Sequence, residues 1–232
     1  MKEMSLGIFK FHAIDSRRTL SIFWTIFIVT HILGFFVAFT FENTGIVYGS
    51  SFAIYIFVSI WGFQLLKSSF PHLIQWGATR KDYFLYTSLF LILSSLFMSL
   101  LNNILLLTFD LLIKWYSLTG INFYHLAQFG TITDNFASRL FIDFSISLLL
   151  ISTALFLSTV FFRFGLAVGG ALVVPLIVLS FIPGVIPYIS TFMQNFLSVN
   201  GPLYFSYTVI SSLLIFLISW AVMRRSFIIP SV

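Results

Sequence analysis

The chain contains no cysteine, which removes disulfides, thiolate metal sites and cysteine nucleophiles together and leaves the redox compartment unread. Charge is also scarce, at 8% of the 232 residues, where soluble domains carry about 25%. Signatures of chemistry are missing too. No H-E-x-x-H, G-x-S-x-G or G-x-x-x-x-G-K-[ST] occurs, so a zinc protease, a serine hydrolase and an in-chain ATPase lack their usual residues. His12, His31, His72 and His125 fall on different segments and sides, and no second histidine or carboxylate stands at ligand spacing to His31. Neither a histidine site, a catalytic site nor a metal site is expected, and no cofactor in this chain. There is no fixed-period repeat, low-complexity linker or soluble domain.

Apolar surface is what the chain has in excess. It is 59% hydrophobic with a mean hydropathy of +1.04, more than a water-soluble domain of this size can hide. Eighteen or more apolar residues, rising about 1.5 Å each as helix, cross a hydrocarbon core of roughly 30 Å. Six spans are expected, at 19–41, 47–66, 83–109, 140–162, 166–182 and 203–223. The expected fold is therefore all-α, one polytopic membrane domain over 1–232. The first run exceeds the apolar core of about 7–15 residues in a signal peptide, so it is expected to stay in the membrane.

Residues 1–18 carry Lys2, Lys10, Arg17 and Arg18, with Leu6, Phe9 and Ala13 at helical spacing. That suits an elbow helix at the cytoplasmic interface, although Ile8 and Phe11 blur its amphipathic pattern. Residues 183–201 are apolar but interrupted by Pro183, Gly184 and Pro187, which fits a re-entrant segment better than a full span.

The formal charge of +5 comes without a basic, aromatic-studded soluble surface, so it reads as a topology signal and not as nucleic-acid binding. Ten of the twelve Lys and Arg residues flank the spans on one side, and only Lys114 and Arg139 lie on the other. Because cytoplasmic loops are enriched in these residues, both termini are expected in the cytoplasm of a cell (plasma) membrane protein.

The segment 67–82 between the second and third spans is densely punctuated. Pro71 suits the first turn of a short helix that Ser69 would cap, and Gly77 is placed to end it in the left-handed conformation. Thr79 and Asp82 have capping-box spacing for the next span. The local pattern fits a well-formed connection between two spans, or a rigid knob presented to the cytoplasm.

Phe70-Pro71 followed by Trp76-Gly77-Ala78-Thr79-Arg80-Lys81-Asp82-Tyr83-Phe84 resembles the cytoplasmic loop of ABC-2-type permeases (type V exporters), notably the small Gram-positive ones. The resemblance implies six spans, an elbow helix, a coupling helix between spans two and three, and re-entrant helices before span six. It also implies that Phe70, Pro71, His72, Leu73, Ile74, Gln75, Trp76, Gly77, Thr79, Arg80 and Lys81 engage a separate ABC ATPase that holds the ATP and Mg. The chain would then be a transport subunit and not an enzyme, paired with a second permease copy or a homologous permease. It would export a hydrophobic or amphipathic peptide, antibiotic or lipid-like cargo. Residues 110–138 have no counterpart in that family pattern.

Other polar residues are read from spacing. Arg139 and Asp143 stand four apart and are expected to pair on one face near the outer end of span four. Asn102, Asn103 and His31 need hydrogen-bond partners in lipid, and interhelical bonds are expected. Ser145, Ser152 and Thr159, and Gly165 with Gly169, suit close helix packing, with a polar substrate path as the alternative. Two rival readings are a ligand-binding membrane subunit of a small-molecule importer and an intramembrane enzyme using Asp143, His31 or the asparagines.

Overall fold

The computed structural model describes residues 2–41, 45–118, 120–129, 133–196 and 201–224. Six α-helices dominate: α1 Lys2–Thr40, α2 Ser50–Gln75, α3 Arg80–Trp115, α4 Phe136–Ser180, α5 Ile186–Phe196 and α6 Gly201–Met223. Glu42, Asn43 and Arg225 lie outside the described residues. The protein has the all-helical, multi-span fold of a polytopic membrane protein, and among the described residues five helices are long and apolar enough to cross a bilayer.

The longest of these, α4, is a hairpin. Gly165 has φ +80° and ψ 179°, outside the helical region, and there the chain reverses. A Cβ at Gly169 would collide with the ring of Phe161. Further along, Thr153, Phe156 and Leu157 share a groove with Leu172, Val173 and Ile177. Residues equidistant from Gly165 thus face each other, so spans four and five are antiparallel legs of one hairpin. Glycine permits this because it alone enters positive φ without a Cβ clash.

Two boundaries differ from the sequence expectation. α1 runs without a break through 18 and 19, so the elbow is the first part of one 39-residue helix. Its inward positions are Ile8, His12 and Ser16, a different face from Leu6 and Ala13, which are exposed. Likewise α2 continues through Pro71 to Gln75, so no new helix starts there. Pro71 removes one N–H donor without ending the helix.

The core is where α2, α3 and α4 meet, with α6 against α4. Leu66, Phe70, Tyr83, Leu91, Met98, Leu148, Ile151 and Leu155 are fully buried there. Between lipid-embedded helices, dense side-chain packing replaces the hydrophobic effect as the driving force, so backbones must approach closely. Gly62 allows this, since a Cβ there would stand 2.7 Å from Cγ1 of Ile151. Ile22, Ile26, Val29, Leu33 and Phe36 form an exposed apolar stripe on α1 at alternating four- and three-residue spacing. Water would not tolerate that stripe; hydrocarbon does.

Both described ends of the chain gather at one end of the bundle. His12 of α1 bonds Thr87 near the start of α3, while Arg80 donates to the Arg224 carbonyl and Arg163 to that of Val222, beyond and within the last turn of α6. At the opposite end, β1 Ile46–Tyr48 pairs in parallel with β2 Ile121–Phe123, and a 3-10 turn spans Leu126–Phe129. This is a small addition to the all-α expectation. It binds part of the unassigned 110–138 segment onto the bundle.

Candidate functional site

The α2–α3 turn is built as a rigid point. Gly77 has φ +89°, its N–H donates to the Ile74 carbonyl at 3.0 Å, and the Ala78 N–H donates to Leu73 at 3.0 Å. That pair of bonds is the Schellman ending, and Leu73 and Ala78 supply its buried apolar contact. Thr79 then caps α3, accepting from the Asp82 N–H at 3.1 Å and donating its hydroxyl to the Asp82 carboxylate at 2.8 Å.

The residues that the resemblance assigns to coupling divide by burial. His72, Gln75, Trp76, Gly77, Thr79 and Lys81 are exposed, while Pro71, Ile74 and Arg80 are intermediate. Phe70 and Leu73 are buried, with Phe70 edge-on to Tyr83 and Phe162, so they support the turn from below. Trp76 is 68% exposed and touches Phe11 of α1 edge-on. Ser69, a cap candidate by sequence, is buried and bonded to Tyr83 Oη at 2.7 Å and to the Leu65 carbonyl at 2.6 Å.

Toward the other end lies a buried polar cluster. Asp143 Oδ1 accepts from Tyr55 Oη at 2.6 Å and from His125 Nε2 at 3.0 Å. Its Oδ2 accepts from Asn102 Nδ2 at 2.7 Å and Asn103 Nδ2 at 3.3 Å. The ring tautomer of His125 follows from its other nitrogen, which accepts from the Ala127 N–H at 3.0 Å, so Nε2 carries the hydrogen. Tyr55, Asn102, Asn103, His125 and Asp143 are each less than a tenth exposed.

The expected Arg139–Asp143 pair is not formed. Arg139 instead grips Asp134 with Nε and Nη2, the latter at 2.7 Å, and reaches Asp110 at 3.3 Å. The guanidinium is paired with two partly exposed carboxylates, while Asp143 is met by neutral donors. Hydrogen bonding from Arg139 lowers the Asp134 pKa, against an opposing effect of burial.

Interhelical bonding holds for Asn102 and Asn103, which reach Asp143 on α4. It does not hold for His31. Its Nδ1 bonds the Phe27 carbonyl of its own helix at 2.7 Å, and its ring is packed against Tyr48 and Phe123. Stacking, not hydrogen bonding to a second helix, occupies this ring. The hydroxyls of Ser145, Ser152 and Thr159 bond carbonyls of their own helix.

Sequence reasoning missed His125, Tyr55 and Ser51 as cluster members. Ser51 and Tyr55 are four apart on α2, a usable signal, but nothing local announces that the 110–138 segment returns His125 to α4. No protein-family model, curated protein or solved structure matches this chain.

Proposed function

We propose that this chain is the permease subunit of an ATP-driven ABC-2-type exporter, with ATP hydrolysed by separate ATPase chains. The observation that supports this reading best is the α2–α3 turn. It presents an exposed Trp76 on a backbone locked by the Gly77 ending and the Thr79 cap, at the end of the bundle that also gathers Arg80 and Arg163. A rigid, aromatic-tipped projection seated directly on the core transmits a push without absorbing it, because close-packed interiors deform little.

In this reading the exposed His72, Gln75, Trp76 and Lys81 meet the ATPase, and Phe70 and Leu73 carry the displacement into α3 and α4. A second permease copy, or a homologous permease, completes the pathway. The apolar groove of about 510 Å³ between the legs of α4 and Ile215 of α6 suits a hydrophobic or amphipathic cargo.

The test is gentle purification of the tagged chain from its native membrane, beside a Trp76→Ala variant, with mass spectrometry of what accompanies each. An ATPase carrying a G-x-x-x-x-G-K-[ST] loop is expected with the wild type and strongly depleted with the variant. Loss of a central aromatic anchor, at about 2 kcal/mol or more, weakens binding roughly 30-fold. Recovery of the wild-type chain without any nucleotide-binding partner would refute the proposal.

A further inference from the structure

Several buried polar atoms at the Asp143 cluster have no hydrogen-bond partner among the described residues. Each asparagine amide has committed both hydrogens: Asn102 to Ser51 Oγ and Asp143, Asn103 to the Ser99 carbonyl and Asp143. Reversing either amide would set its oxygen against the carboxylate, so the orientation is fixed by the bonds. The opposite ends, Asn102 Oδ1 and Asn103 Oδ1, are left with no hydrogen-bond partner among the described residues. So are Ser147 Oγ, one turn beyond Asp143 on α4, and Ser50 Oγ, beside Ser51. All four side chains are more than nine-tenths buried.

Charge is unbalanced in the same place. The Asp143 carboxylate is met by Tyr55, Asn102, Asn103 and the Nε2–H tautomer of His125, all of them neutral donors. Arg139, the nearest cation in sequence, is engaged by Asp134 and Asp110. Buried polar atoms without partners and a buried charge without a counter-charge each destabilise by an amount that a native structure normally offsets. Water would satisfy the orphan oxygens but not the charge. A proton on the carboxyl could be donated to Tyr55 Oη and would remove the charge, but it would leave the orphan oxygens as they are.

One species answers both deficits. We infer that this cluster seats a small monovalent cation, either an inorganic ion or a primary ammonium head, received by the uncommitted Asn102 and Asn103 oxygens and neutralised by Asp143. His125, carried by the outer segment and 1% exposed, closes the site from above. This inference stands independently of the exporter reading, since it concerns ion dependence of the isolated chain and not its partners.

The test uses the full chain in lipid nanodiscs, with thermal unfolding followed by tryptophan emission at constant ionic strength. Sodium, potassium, methylammonium and N-methyl-D-glucamine chlorides are compared. A saturable rise of about 5–10 °C is expected at a concentration 100-fold above Kd for at least one small cation, and none with the bulky glucamine. Saturation by sodium or potassium identifies an inorganic ion; saturation by methylammonium alone identifies an ammonium head. Asp143→Asn should abolish the rise. Ser147→Ala removes an unpartnered hydroxyl and breaks no hydrogen bond, so it should fold normally and shift the half-saturating concentration upward if that oxygen is a ligand. Identical wild-type unfolding in all four salts overturns the inference, as does a rise that survives unchanged in Asp143→Asn.

Discussion

Replacing Gly77 with alanine separates backbone strain from side-chain contact at the α2–α3 turn. A Cβ at this position would meet nothing within 4 Å, so any loss must come from the φ of +89°. Holding an L-residue left-handed costs about 1–2 kcal/mol. Relaxing to helical φ would instead break the bonds from Gly77 to Ile74 and from Ala78 to Leu73, at about 0.5–1.5 kcal/mol each. It would also misplace the Thr79 cap, adding about 0.5–2 kcal/mol. Strain is the cheaper route, so the variant should keep the turn and lose about 1–2 kcal/mol, or roughly 2–8 °C in unfolding midpoint. Asparagine tolerates the left-handed region better, so Gly77→Asn should fall between wild type and alanine. Thermal unfolding in nanodiscs measures all three. Alanine equal to wild type, or asparagine worse than alanine, would refute the assigned conformation and with it the rigid turn.

Two other outcomes follow from named contacts. Gly62→Ala places a methyl group 2.7 Å from Ile151 Cγ1 and 3.4 Å from the Ile151 carbonyl; overpacking should lower stability by about 1–3 kcal/mol, and with Ile151→Ala, which removes Cγ1, the double variant should lose less than the sum of the two single losses. The Asp134–Arg139 pair gives a pH dependence of definite sign. Because the folded pKa of Asp134 is depressed, its stabilisation is present above the ordinary value of 3.8 and is lost as pH falls through the lower folded value. The pair is partly exposed, so the loss should stay below about 1 kcal/mol. Acid unfolding of Arg139→Gln should lack this component, and an unchanged acid limb would contradict the assignment.

Much of the architecture was legible without coordinates because it rests on local physics. Long apolar runs must become helices in hydrocarbon, where every backbone polar group has to be satisfied within the segment. Gly77 and the Thr79–Asp82 spacing announced their roles because the left-handed ending and the cap involve residues only a few positions apart. The division between 162 and 166 was similarly readable, and Gly165 supplies the reversal there.

What the tertiary structure decided concerns contacts whose partners are distant in sequence. Pro71 looked like a helix start, yet α2 continues through it, and Ser69 bonds Tyr83 rather than capping. Phe70 and Leu73 fall in the segment that the resemblance assigns to coupling, but they are buried, packed with α3 and α4 beneath the turn. Arg139 and Asp143 have ideal pairing geometry on an isolated helix. The fold offers the guanidinium two partly exposed carboxylates and the carboxylate four neutral donors, and those partners come from α2, α3 and the returning 110–138 segment. Sequence alone determined that this is a multi-span membrane protein and where its turns are stiff, because those are properties of short segments. Which buried groups meet was left to the tertiary structure, since the partner of each is supplied by a helix or loop tens of residues away.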